Sequence, residues 1–132
     1  MLDKYGFNVS RETNKKIIEY IEILKKWNKS INLISKNSEE NIWERHVLDS
    51  AQIWPLLGRE KFNKWVDLGS GAGFPGVILS ILAKDSFPLA KFILIEKDKR
   101  KSEFLKIISK KLELNVVVYS DRIESLNGLK AD

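Results

Sequence analysis

The chain has 132 residues, the length of one domain, and its 43% hydrophobic and 31% charged residues are typical of a soluble globular protein. It has no stretch near the roughly 20 apolar residues of a membrane span, and the absence of cysteine excludes disulfides, thiolate catalysis and cysteine-ligated metals. A net charge of +5 permits a nucleic-acid partner without requiring one. We therefore expect a cytoplasmic protein with no membrane contact and, since it has a single histidine, no metal.

The first part of the chain is predicted to be helical. Ser10 is a plausible N-cap for a helix that ends near Trp27, because apolar residues recur at spacings of three and four. These residues are Ile17, Ile18, Ile21, Leu24 and Trp27. Ser38, which precedes two glutamates, predicts the start of a second helix that continues through Val47. Residues 1–60 are expected to form a helical region that packs on a sheet.

From residue 61 onward, short apolar strands alternate with helices. Strands are predicted at 65–68, 92–95 and 116–119, and helices at 75–84 and 99–113. This βαβαβ pattern favours an α/β fold with a parallel sheet in the strand order 3-2-1, as in Rossmann-like domains. A doubly wound domain normally continues beyond three strands, so 61–132 is expected to be an incomplete cofactor-binding half of a truncated chain.

A glycine-rich segment joins the first predicted strand to the next helix. It reads Asp67-Leu68-Gly69-Ser70-Gly71-Ala72-Gly73-Phe74-Pro75-Gly76. Glycine reaches positive φ without penalty and lets a ligand approach the main chain, so the segment predicts a nucleotide-cofactor loop. Gly71, Gly73 and Gly76 also fit the dinucleotide pattern, and the loop alone does not distinguish a nicotinamide cofactor from S-adenosylmethionine.

Two acidic residues flank this loop. Glu96 closes the second strand, where a carboxylate can accept ribose hydroxyls in the ligand crevice; alternatively it is stabilised by the dipole of the next helix. Asp67, two residues before Gly69, favours S-adenosylmethionine, because it can pair with the cofactor's charged amino group but would repel a pyrophosphate. The alternative for Asp67 is an acid that caps the amides of its own loop.

Three sequence blocks carry a resemblance to a known family. They are Trp27-Asn28-x-x-x-Asn32-Leu33, Glu44-Arg45-His46-Val47-Leu48-Asp49-Ser50, and the glycine-rich segment from Asp67 to Gly76. Together they resemble the bacterial small-subunit ribosomal RNA guanine methyltransferases, also called glucose-inhibited division protein B. Members of that family methylate the seven position of a guanine in 16S rRNA. The resemblance implies S-adenosylmethionine as the cofactor and 16S rRNA or the small ribosomal subunit as the partner.

The resemblance also implies roles for particular residues. Gly69 and Phe74 would lie against the methionine and loop side of the cofactor, whereas Gly71, Gly73 and Asp67 are cofactor-binding candidates from the loop pattern itself. Glu96 would bind the ribose, and the main chain of Ile123 with Glu124 would bind the adenine. Family members continue through further strands that carry a cofactor-binding arginine and much of the target pocket, so this chain departs from the family in length.

The expected chemistry requires few side chains. The guanine nitrogen at position seven bears a lone pair and no proton, so methyl transfer needs positioning and no general base. His46 and Asp49, three residues apart on one helix face, are candidates to wall the pocket. The alternative is a buried histidine satisfied by Asp49, which would hold the helices on the sheet. Asn32 is a third candidate, with a role in a turn as its alternative.

Two other functions stay open at the level of sequence. The loop is compatible with an NAD(P)-binding oxidoreductase domain. Seven basic residues between Lys97 and Lys111 would suit a non-catalytic RNA-binding module, although a solvated lysine-rich helix face is the more common explanation of such a run.

Overall fold

The computed structural model describes residues 2–57 and 64–120. A short 3-10 turn at Leu2–Tyr5 precedes the first helix, and a π-helical segment at Trp43–Val47 runs directly into the third. The α-helices are α1 (Arg11–Asn28), α2 (Lys36–Glu40), α3 (Leu48–Ala51), α4 (Trp54–Leu57), α5 (Gly76–Ser86) and α6 (Lys99–Lys111). The strands are β1 (Lys64–Leu68), β2 (Lys91–Ile95) and β3 (Val116–Tyr119). In these ranges no helix combines the length and apolar character needed to cross a membrane.

Helix α1 begins where its capping residue predicts. The Ser10 hydroxyl accepts a hydrogen bond from the Thr13 main-chain N–H at 3.1 Å, which satisfies one of the free donors of the first turn. The buried face of the helix contains Ile17, Tyr20, Ile21 and Leu24, whereas Ile18 and Trp27 are only partly buried. The prediction of this helix and its apolar stripe is confirmed.

The second predicted helix differs from the structure. Ser35, and not Ser38, is the N-cap of α2, since its hydroxyl accepts the Ser38 N–H at 3.1 Å. The reason lies in Asn28, whose side-chain oxygen accepts hydrogen bonds from the amides of Leu33 and Ile34 at 2.8 and 3.0 Å. That turn presents Ser35 as the first residue able to cap, and the helix ends at Glu40 instead of continuing to residue 47.

The three strands form one parallel sheet in the order β1-β2-β3. Strand β2 lies in the centre and its residues from Phe92 to Ile95 are buried, while β1 and β3 are half-buried or exposed. Helices α5 and α6 follow β1 and β2 within one or two residues of their predicted bounds. The expected boundary between residues 60 and 61 lies outside the described residues.

The helical region packs against the helices of the sheet. Helix α1 contacts both α5 and α6, and α3 contacts α5. On α6 the buried stripe is Phe104, Leu105 and Ile108, continued by Leu112. These contacts form one apolar cluster that brings α1 and the π-helical segment to the segment between β1 and α5.

Candidate cofactor site at the glycine loop

The glycine-rich segment 69–75 lies at the carboxyl ends of β1 and β2. Leu68 and Ile95 are paired at the last position of the two strands. The amides of Gly69 and Ser70 both donate hydrogen bonds to the Ile95 carbonyl, at 2.9 and 3.1 Å. The start of the loop is therefore fixed to the end of the neighbouring strand, at the edge where parallel sheets bind ligands.

The three glycines of the loop share positive φ but differ in their surroundings. Their φ angles are +69° at Gly69, +54° at Gly71 and +101° at Gly73. Among the described residues, a Cβ atom at Gly69 would have no neighbour within 4 Å, and one at Gly71 would have only a main-chain oxygen at 3.9 Å. At Gly73 it would lie 2.6 Å from Val77 and 2.9 Å from the Tyr20 hydroxyl. Gly69 and Gly71 leave open space, whereas Gly73 is required by packing within the protein.

Glu96 connects the loop to the start of α6. Its side chain is only 7% exposed, and one carboxylate oxygen accepts the Gly71 N–H at 2.8 Å while the other accepts the Asp98 N–H at 2.9 Å. The Ser102 hydroxyl donates to the Glu96 carbonyl at 2.8 Å and holds its main chain in place. The carboxylate thus lies beside the two open glycines, and it also stabilises the entry to α6.

Asp67 lies beneath the loop at the end of β1. Its carboxylate accepts the N–H of Gly76, the first residue of α5, at 3.2 Å. Burial raises the pKa of Asp67 from its ordinary value of 3.8 to about 6, against the opposing effect of the Gly76 hydrogen bond. The negative charge of Glu96 raises that pKa further. Asp67 therefore accepts a hydrogen bond from an amide at the end of its own loop, as one of its two predicted roles requires. A neighbouring cation would stabilise its half-buried carboxylate.

His46 and Phe74 meet at the far end of the loop. Their rings are stacked, with centroids 4.7 Å apart and planes 17° apart. They belong to a pocket of about 230 Å³ whose lining is Arg45, His46, Asp49, Ser50, Ile53, Phe74 and Pro75. The structure thus brings two of the three candidate side chains, His46 and Asp49, to the same cavity as Phe74.

In the part of the chain that the structure describes, one ring nitrogen of His46 lacks the hydrogen bond that a buried structural histidine would make. Its Nε2 atom is buried and has no hydrogen-bond partner within 2–57 and 64–120. Burial lowers the pKa of His46, and the charge of Asp49 opposes that effect. Burial thus favours the neutral form of the His46 imidazole over the charged form.

Asn32 does not join this group. It is exposed and does not line the pocket of His46 and Phe74. The turn expected for its sequence block is made by Asn28, which bonds the Leu33 and Ile34 amides and also donates to Glu39 at 2.9 Å. Ile123 and Glu124 lie outside the described residues.

Sequence reasoning missed one residue of this site, Tyr20. It is fully buried on α1, its hydroxyl donates to the Ala72 carbonyl, and its ring lies 5.5 Å from that of Phe74. A signal was present, because Tyr20 falls on the apolar stripe between Ile17 and Leu24, and a buried tyrosine hydroxyl needs a partner. Within the described ranges, no cluster of three histidine, aspartate or glutamate side chains is arranged to hold a metal ion.

The fold and the loop define a class: an α/β protein that carries a glycine-rich ligand loop at the carboxyl edge of a parallel sheet. The family model described as rRNA small subunit methyltransferase G (GidB) matches residues 13–132. The chain belongs to this family, which confirms the resemblance seen in the sequence.

Curated relatives agree with the family match. A protein of Cereibacter sphaeroides named ribosomal RNA small subunit methyltransferase G is 46% identical over 125 residues, which are 95% of this chain and 60% of the relative. Proteins with the same name from Ruegeria pomeroyi and Orientia tsutsugamushi are 45% and 42% identical, over 98% and 92% of this chain and 63% and 58% of their own lengths. The chain thus spans about 60% of the length of the relatives that it matches.

Proposed function

We propose that this chain is the cofactor-binding part of a Rossmann-like, S-adenosylmethionine-dependent methyltransferase that modifies position seven of a guanine in 16S rRNA. The observation that carries the proposal is the open main chain at Gly69 and Gly71 beside the buried carboxylate of Glu96. The strand arrangement β1-β2-β3 and the names of the relatives support it. The proposed partner is the small ribosomal subunit or its RNA, in the cytoplasm.

The carboxylate of Glu96 is suited to a ribose. An ionised carboxylate offers about four lone-pair directions, and two of these already accept the Gly71 and Asp98 amides. We propose that the remaining directions accept the two ribose hydroxyls of an adenosine ligand. The main chain of Ile123 with Glu124 is proposed to bind the adenine.

Asp67 is proposed to bind the cationic end of the same ligand. Its half-buried carboxylate carries a cost of desolvation that a cation would reduce. The amino group of S-adenosylmethionine is such a cation, whereas the pyrophosphate of a nicotinamide cofactor would place further negative charge beside Asp67 and Glu96. This contrast favours a methyltransferase over an oxidoreductase.

The reaction is proposed to depend on alignment. When bound, S-adenosylmethionine would supply an electrophilic methyl group: the guanine nitrogen would form the new N–CH3 bond with its lone pair while the S–CH3 bond breaks and its electron pair leaves on the sulfur of S-adenosylhomocysteine. Holding two reactants in the correct alignment lowers the activation barrier by on the order of 7–11 kcal/mol relative to the reactants free in solution. We assign Gly69, Gly71, Gly73 and Phe74 to the cofactor site. His46 and Asp49 are assigned to the wall of the target pocket. Asn32 is exposed and does not line that pocket, so it is the least supported of the three pocket candidates.

Calorimetric titration tests the cofactor assignment directly. S-adenosylhomocysteine should bind with measurable heat and should change tryptophan fluorescence, since Trp65 lies on β1 two residues before Asp67. NADH should give neither signal. Binding of NADH with no response to S-adenosylhomocysteine would overturn the proposal in favour of an oxidoreductase domain, and binding of RNA with no response to either ligand would favour a non-catalytic module.

Methyl transfer is tested on small ribosomal subunits that lack the modification. Radiolabelled S-adenosylmethionine should transfer label to 16S rRNA, and the labelled base should be a guanine methylated at position seven. Label at another position or base would contradict the assignment of the target. Because the chain covers about 60% of its relatives, a full-length relative is the matched positive control.

A further inference from the structure

Tyr20 links the helical region to the glycine loop through one buried hydrogen bond. Its hydroxyl donates to the carbonyl of Ala72, which lies between Gly71 and Gly73. Tyr20 is 0% exposed and Ala72 is 7% exposed, so water has little access to either partner. The contact joins residues 52 positions apart in the chain.

The Tyr20 side chain also packs against the residues that follow Ala72 in the loop. A Cβ atom at Gly73 would lie 2.9 Å from the Tyr20 hydroxyl and 2.6 Å from Val77, so these two residues together leave no room for a side chain there. The Tyr20 ring contacts Phe74 at 5.5 Å, and Phe74 stacks on His46. Tyr20 therefore touches three consecutive loop residues, Ala72, Gly73 and Phe74.

A loop of this composition needs such a contact. Glycine loses more conformational freedom on ordering than any other residue, and the loop contains three glycines with positive φ. The buried Ala72 carbonyl also needs a donor, because an unpaired one costs the full desolvation penalty. Burial raises the pKa of Tyr20, and the charge of Asp67 adds to that effect, so the hydroxyl keeps its proton and stays a donor.

We propose that Tyr20 is a positioning residue for the cofactor loop: its hydroxyl holds Ala72 and Gly73 in the shape that presents the Gly69 and Gly71 main chain to the ligand. This inference rests on the proposed function for the identity of the ligand. The mechanical part, that Tyr20 restrains the loop, stands on the contacts alone.

The test compares Tyr20→Phe with Tyr5→Phe in the complete 132-residue chain. Both variants lose one tyrosine hydroxyl that donates a hydrogen bond, but the Tyr5 hydroxyl donates to Glu44 on the surface at 3.0 Å. Hydrogen exchange should become faster at the Gly71 and Gly73 amides in Tyr20→Phe, while the β2 amides keep their protection. The affinity for S-adenosylhomocysteine should fall by about tenfold in Tyr20→Phe and stay unchanged in Tyr5→Phe.

The possible outcomes separate this inference from the proposed function. Unchanged loop exchange and unchanged affinity in Tyr20→Phe would overturn it. Faster exchange throughout β2 as well would also overturn it, since Tyr20 would then serve the core and not the loop. If the wild-type chain fails to bind S-adenosylhomocysteine, the proposed function fails, and the exchange of the Gly71 and Gly73 amides still decides whether Tyr20 restrains the loop.

Discussion

The carboxylate of Glu96 accepts a hydrogen bond from the main-chain N–H of Gly71 at 2.8 Å. This bond joins the residue that follows the central strand to the middle of the glycine loop. It places a buried negative charge next to a glycine at which, within the described part of the chain, an added Cβ would meet only a main-chain oxygen at 3.9 Å.

Removing the Glu96 carboxylate should weaken both the protein and its ligand binding. In Glu96→Ala the Gly71 and Asp98 amides lose their acceptor, and the free energy of unfolding should fall by about 1–3 kcal/mol. The affinity for S-adenosylhomocysteine should fall at least tenfold, as measured by calorimetry. Glu103→Ala removes an exposed glutamate of α6 and is the matched control. Equal affinity in the two variants would argue that Glu96 only stabilises the start of α6.

Alanine at two glycines of the loop should have different consequences. Gly73→Ala places a Cβ against Val77 and Tyr20 and should cost about 1–3 kcal/mol of stability from overpacking, in addition to strain at positive φ. Gly69→Ala meets no neighbour and should cost only the strain of a left-handed conformation, about 1–2 kcal/mol. Urea denaturation of the two variants measures the difference. If Gly69→Ala proved the more destabilising change, the loop would be packed differently from this structure.

The stability of the protein should depend on the protonation of Asp67. The folded state holds this proton up to a pKa of about 6, whereas the unfolded chain loses it near 3.8. Between these values the folded state binds more protons, so the free energy of unfolding should fall as the pH rises from about 4 to about 6. Asp67→Asn should flatten this slope in denaturation curves. A slope that is equally steep in the variant would assign it to another group.

Ligand binding should show the opposite dependence on pH. Ionised Asp67 attracts the ammonium group of S-adenosylhomocysteine, so the affinity should rise from about pH 5 to about pH 7. Asp67→Asn should bind more weakly at neutral pH and lose this rise. Residual dependence on pH in that variant would belong to another group. Wild-type affinity that stays constant over this range would remove Asp67 from the ligand site.

The His46 ring should have two opposing effects on the free energy of unfolding: its buried nitrogen lowers it, and its stacking on Phe74 raises it. His46→Phe keeps an aromatic ring against Phe74 and removes the unpartnered Nε2 atom, so it should raise the free energy of unfolding by up to about 1 kcal/mol. His46→Ala removes the stacking partner and should lower it by about 1 kcal/mol. Thermal denaturation distinguishes these outcomes. A loss of stability in His46→Phe would show that the nitrogen has a partner.

The sequence predicts well those features that depend on neighbours in the chain. The start of α1 follows from Ser10 and Thr13, three residues apart, and the buried stripe of α6 follows from the helical period. The strand 116–119 and the helices on either side of β2 are found within two residues of their predicted bounds. Such signals are carried by short segments and need no knowledge of the fold.

Residues that look alike in the sequence can be told apart only in the folded structure. Gly69 and Gly73 look alike in the sequence, but only Gly73 packs against Tyr20, because α1 crosses the loop from more than 50 positions away. For the same reason His46 is found on Phe74. The turn made by Asn28 and the cap made by Ser35 are instead local contacts, which the sequence pattern assigned to a nearby residue of the same type, Asn32 and Ser38. Local spacing specifies helices, strands and the glycine loop, whereas contacts between distant segments specify which side chains surround the loop.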